Sequence, residues 1–347
     1  GEDAADVAGA PVDAVAVPEG EEAPLALPVG SLEADPDSPV RLVRTLQGLQ
    51  DDIARGSPNA LAAQQVLLAR IEAVFRAAPP DTWADRRNAR ALAVYALSGG
   101  APRVVRAAVA TETLAEADRP LVLGALAYLE GRNDDAPVHL EGIDPRLAPA
   151  SLAGPLALAM AALDVAERPE RAIERLGLAR VAAPGTLVEE AALRREILMA
   201  AELGRVDAFE RLSREYLRRF RHSIYAGNFR SRFQAALTRM PYARDPAVFA
   251  RLDRLLAEMD PAARPELLLQ VAQAAIESGH VQVAALAAGA VLAEAPPATL
   301  DRLRARLYLA AARAVDPAAT VEAAAELAAI ERDLLPPADR ALLDAAL

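Results

Sequence analysis

Between Val40 and Ile53 the apolar residues Leu42, Leu46, Leu49 and Ile53 are spaced by four, three and four, which puts them on one face of a helix closing at Gly56. The same period returns along the chain, and the two-residue alternation of strands does not. Pro184-Gly185 makes a turn, and Thr186 with Glu189 three residues later forms a capping-box pattern, so a helix begins at Leu187. Leu193, Ile197, Ala200 and Leu203 are its buried stripe, Glu190 pairs with Arg194 one turn on, and Gly204 ends it. A second helix from about Val206 turns Phe209, Leu212, Tyr216 or Leu217, and Phe220 inward, completing a helical hairpin.

Breaks of this kind fall at Gly99, Gly131, Arg168, Gly204, Pro241, Gly279 and Asp316, at intervals of 32 to 38 residues. A helix on each side of every break makes the chain all-α. The period predicts a right-handed α-solenoid of TPR-like helix hairpins, about seven to eight pairs. Pro79-Pro80, Pro184, Pro261, Pro296 and Pro336 start or stop helices where hairpins meet. Around residues 133–149 the register fails, and only a short second helix fits there.

Composition narrows the class further. Of 347 residues, 53% are hydrophobic but only 4% aromatic, and alanine supplies much of the apolar count, which suits close helix packing. Arginines and acids interrupt every apolar run before the roughly 20 residues a membrane-spanning helix needs, so no membrane insertion is expected. Residues 1–38 hold ten acids and no base, against 39 acids and 38 bases in the rest. They read as an acidic disordered linker, followed by one solenoid domain over residues 39–347. All bases are arginine, and there is no cysteine, which excludes disulfides and thiolate chemistry.

Catalytic patterns are absent: there is no GxSxG, Walker loop, HExxH or GxGxxG. No catalytic, cofactor-binding or metal residue is assigned, no small-molecule substrate is expected, and the chain reads as a non-enzyme. His139, His222 and His280 are not spaced as metal ligands. Asp134, Asp135, His139 and Glu141 are explained more simply by a helix N-cap at Asn133 or Asp134 than by a cation. Glu189 and Glu190 read as solvated first-turn residues.

The one concentration of chemistry is basic. From Arg205 to Arg232 there are eight arginines against Asp207, Glu210 and Glu215. Arg211, Arg214, Arg218 and Arg221 recur at helical spacing as an outward stripe, interleaved with Tyr216, Phe220, Tyr225, Phe229 and Phe233. Two readings stand side by side: a solvated face over an aromatic seam, or a partner-binding patch of Arg211, Arg214, Arg218, Arg219, Arg221, Tyr225, Phe229 and Arg232. Nucleic acid is disfavoured, because a near-neutral body with an acidic tail repels phosphate. The acidic tail is expected to fold across the stripe and mask it.

Several longer phrases carry a resemblance: VRLVRTLQGLQDDI (residues 40–53), RNARALAVYALSGG (87–100), LGALAYLEG (123–131), PGTLVEEAALRR (184–195) and YLRRFRHSIYAGNF (216–229). In order and spacing they resemble the MotC family of motility proteins, over about residues 40–235. The resemblance implies a non-enzymatic role in flagellar motor rotation. It also implies a periplasmic location with the export signal removed, and association with the periplasmic part of the stator protein MotB. The alternative is a general periplasmic TPR-like scaffold in envelope assembly.

Overall fold

The computed structural model describes residues 36–258 and 261–347. Every regular element among them is helical: seventeen α-helices joined by turns, five of which are 3-10. The expected acidic linker lies almost wholly outside the described residues. The first helix, α1 (Pro39–Ala54), opens where Ser38-Pro39 predicts it, with proline at a position whose N–H has no helical partner.

Each predicted break separates two helices. Gly56 lies between α1 and α2 (Pro58–Ala77), Gly99 between α3 (Arg86–Leu97) and α4 (Pro102–Ala110), and Gly131 between α5 (Arg119–Leu129) and α6 (Asp135–Leu140). Arg168 separates α7 (Ala150–Asp164) from α8 (Pro169–Ala182), and Gly204 separates α9 (Leu187–Glu202) from α10 (Val206–Arg219). Pro241 stands between α11 (Ala226–Arg239) and α12 (Pro246–Leu256), Gly279 between α13 (Arg264–Glu277) and α14 (Val281–Glu294), and Asp316 between α15 (Leu300–Arg313) and α16 (Thr320–Ala328). A last helix, α17 (Pro337–Ala346), has no partner in this pairing. The short second helix expected near residues 133–149 is α6, six residues long.

Two compact units make up the chain: one runs to Glu196 and takes in His222–Ile224, and the other comprises Ile197–Arg221 and Tyr225–Leu347. In the second unit α11 packs on α13, α13 on α15, α15 on α17 and α12 on α14, so alternate helices of this unit touch one another. Arg304 on α15 fastens these contacts. Its Nε donates to Asp339 of α17 at 2.7 Å and its Nη1 to Glu266 of α13 at 3.0 Å, while the buried Tyr308 hydroxyl also donates to Asp339.

The first unit departs from this pattern. There α3 packs on α1 and α5 and also on α7. Consequently Ala91 to Ala96 are all buried, a run rather than a stripe. The six-residue α6 is too short to form the second wall of a full hairpin, and α7 packs against α3 instead. Helix α7 is itself buried along most of its length, and its Gly154 faces Ala183 and Val188 so closely that a Cβ there meets them.

Helix α9 begins at Leu187 as predicted. The Glu189 N–H donates to Thr186 Oγ1 at 3.4 Å, and the Glu189 carboxylate accepts from the Gly185 N–H. Asp51 of α1 accepts the Leu187 N–H at 3.3 Å, adding a tertiary cap. Glu189 and Glu190 are buried, at 2% and 0% exposure, which corrects their reading as solvated residues. Burial is sustainable because Glu189 takes up an orphan N–H and Glu190 pairs with Arg194 at 3.0 Å. Leu203, expected in the buried stripe, is 40% exposed.

Candidate partner-binding face

Helix α10 divides cleanly. Phe209, Leu212, Ser213 and Tyr216 are buried, while Arg211, Arg218 and Arg219 are exposed. Its apolar side meets α11 through rings: Tyr216 and Phe229 lie 4.2 Å apart between centroids, and Phe209 stacks on Phe233 at 5.2 Å. Phe209 also touches the ring of Tyr242 at 6.0 Å. Aromatic pairs of this kind contribute about 0.5–1.5 kcal/mol each beyond the area they bury, so the face above them is rigidly held.

The structure separates the eight candidate residues. Phe229 is 4% exposed and belongs to the seam between α10 and α11, so it presents nothing to a partner. Tyr225 is half-buried at the start of α11. Arg221 lies beyond the end of α10, so the helical stripe stops at Arg218. Arg214 is half-buried and engaged, its Nε donating to Glu258 at 2.8 Å with Glu210 at 3.7 Å. Arg219 pairs with Glu215 at 3.3 Å and lies over the Phe220 ring. Arg221 and Arg232 are exposed. Arg211 and Arg218 are exposed and make no ion pair among the described residues.

Beneath the face lies a polar network that the sequence reading missed. Glu210 is 6% exposed; it accepts from the Tyr242 hydroxyl at 3.1 Å and pairs with Arg251 at 3.0 Å. Arg251 also binds Asp207. Burial and then the Glu210 carboxylate push the Tyr242 hydroxyl well above its ordinary range. The available signal was Glu210's position next to Phe209 at the edge of the apolar stripe; the partner 32 residues away was not legible.

No group of three His, Asp or Glu side chains that could hold a metal occurs among the described residues. Glu141, weighed above as a cation ligand, instead accepts from Arg168 and Arg171. No described helix is long and apolar enough to cross a membrane.

The sequence model of one family, Chemotaxis protein MotC, matches residues 6–347. The chain belongs to the MotC family. A Chemotaxis protein MotC of Rhizobium meliloti (strain 1021) is 31% identical over 327 residues, covering 93% of this chain and 74% of that protein. The MotC likeness therefore extends past the residues 40–235 that carry the recognisable phrases, through the C-terminal hairpins. No solved structure matches the chain.

Proposed function

We propose that this MotC protein is a non-enzymatic, periplasmic component of flagellar motility that holds the periplasmic part of the stator protein MotB through the exposed arginines of α10 and the turn after it. The observation that carries the site is the contrast within one helix. Arg214 is neutralised by Glu210 and Glu258, whereas Arg211 and Arg218 point to solvent without an ion pair among the described residues. Cationic side chains carried on a helix seated on an aromatic seam suit an acidic protein surface, where charge-assisted contacts offset the side-chain order lost on binding. Stacked hairpins present an extended surface of this kind without enclosing a water-free reaction chamber. Binding one conformation of the stator shifts its population toward the force-generating form.

The test is a pull-down of the full chain with the periplasmic fragment of MotB, comparing wild type with Arg211→Glu/Arg218→Glu. Loss of capture by the double variant, with its thermal transition unchanged, supports the face. Undiminished capture rejects it.

A further inference from the structure

Helices α11 and α13 pack against each other in the second unit, and a groove of about 360 Å³ runs between them. Its two sides repeat. Ser231, Gln234 and Thr238 line it from α11, and Gln270, Gln273 and Glu277 line it from α13, each 39 residues after its counterpart. The shared spacing of three and four residues puts each trio on one helical face. Ala235 and Ala274 also line it, and neither has a side chain beyond Cβ to hold a ligand away. The volume lies near the lower end of ligand sites, which run from roughly 300 to 1,000 Å³.

Apart from Glu277 the polar lining is neutral, and what it offers a ligand follows from the partners it already has. Gln273 donates its amide to Glu277 at 2.9 Å, and Gln270 donates to Glu266 at 3.2 Å. A carboxylate only accepts, so each amide turns its nitrogen to the acid and leaves its carbonyl oxygen as an acceptor. Gln234 is half-buried and Ser231 exposed, and neither side chain has a hydrogen-bond partner among the described residues. Glu277 is exposed, and no arginine pairs with it among the described residues. No described arginine and no described aromatic ring lines the groove. It therefore presents acceptors along its length and one uncompensated negative charge at the Glu277 end.

We propose that this groove binds an extended protein segment carrying a basic residue, with the main chain against the carboxamides and the lysine or arginine against Glu277. Each residue of a main chain carries one N–H donor and one carbonyl acceptor. Gln234 can meet both, while Gln270 and Gln273 accept. From Ser231 to Thr238 the helix rises about 10.5 Å, and an extended chain advances about 3.3 Å per residue, so three residues fit along the groove. The unpaired Glu277 carboxylate selects a cation at the end of that span. The lack of lining arginines disfavours an anion, and the lack of rings leaves the apolar face of a sugar nothing to stack on. This site lies on α11 and α13 and does not depend on the α10 face or on the identity of the stator partner.

The probe is a fluorescein-labelled peptide, Gly-Ser-Thr-Ala-Thr-Lys-Ser-Gly, titrated into the full chain by fluorescence polarisation. One control carries Gln in place of Lys, and the other carries N-methylalanine in place of Ala, which removes a main-chain donor. Each control is expected to bind about fivefold more weakly, the worth of one hydrogen bond. Glu277→Gln is expected to abolish the preference for Lys over Gln while keeping the effect of N-methylation. Gln273→Leu is expected to weaken all three peptides by about fivefold. Absence of peptide binding, equal binding of the three peptides, or a Lys preference that survives Glu277→Gln overturns the proposal. Binding of labelled tri-N-acetylchitotriose where the peptide fails assigns the groove to a glycan and overturns it as well. Because Glu277 is exposed, the comparison at that position stands even where Gln273→Leu disturbs folding.

Discussion

The side-chain amide of Gln47 donates to the main-chain carbonyl of Ser151 at 2.8 Å, and Ser151 is the residue whose helical partner position, four residues on, is Pro155. Proline has no N–H, so within α7 the Ser151 carbonyl has no donor at that position. A glutamine from α1 supplies it.

Gln47→Leu is therefore expected to destabilise the chain by about 1–3 kcal/mol, the cost of leaving a carbonyl without its partner. Pro155→Ala in the same background restores an N–H to that carbonyl and recovers part of the loss. Chemical denaturation of the four proteins of the double-mutant cycle reads the coupling. Additive effects of the two substitutions count against this relationship.

Gly56 closes α1 at φ +89°, and a Cβ on it runs into the His222 carbonyl oxygen. Gly99 closes α3 at φ +85°, but a Cβ there meets nothing within 4 Å. Gly56→Ala and Gly99→Ala share the backbone strain of a left-handed alanine, about 1–2 kcal/mol. The excess loss at Gly56 measures the packing of His222–Ile224 on the α1–α2 turn, and thermal denaturation of the two variants gives it directly. Equal losses mean that segment yields freely.

Helix boundaries were legible because they are local. Gly56, Gly99, Gly131, Gly204 and Gly279 each stop a helix by their own backbone freedom, and the apolar spacing between them depends only on residues a turn apart. What α3 and α7 bury was not legible, since a run such as Ala91 to Ala96 shows no face of its own and its neighbours come from several helices. The arginine stripe suffered the same limit. Arg211 and Arg214 look equivalent in sequence, and what distinguishes them is Glu258, 44 residues from Arg214, together with the buried Glu210. Phe229 carried the right chemistry for an interface but lies in the seam beneath one.

Acid sensitivity should be traceable to Asp118. Burial raises the Asp118 carboxyl, but hydrogen bonds from Arg86 at 2.7 Å and Arg90 at 2.9 Å outweigh it and hold the group below its ordinary 3.8. A carboxyl depressed in the folded state binds fewer protons there than when unfolded. Its stabilising contribution is therefore complete above pH 3.8 and lost as pH falls through the lower folded value. Asp118→Asn is expected to lower stability at neutral pH and to flatten the decline between about pH 5 and pH 2. Urea denaturation across that range decides the matter, and an unchanged pH slope in the variant assigns the acid limb to other carboxylates.

Stability and recognition should separate along α10 itself. Reversing Arg214 to Glu places a carboxylate beside Glu210 and Glu258, and Glu210 is buried and already shared with Tyr242 and Arg251. That substitution should cost about 2–4 kcal/mol, since it leaves a buried charge beside a like one. Reversing Arg211 or Arg218 disturbs no ion pair among the described residues, so the change in stability should stay within about 0.5 kcal/mol. Their effect should appear in binding: weaker capture of the MotB fragment at low salt, with the difference from wild type shrinking as ionic strength rises and screens the lost attraction. Thermal melts and salt-dependent binding on the same three variants test both halves. If Arg214→Glu leaves the fold intact and alone abolishes binding, the division drawn across this helix is wrong.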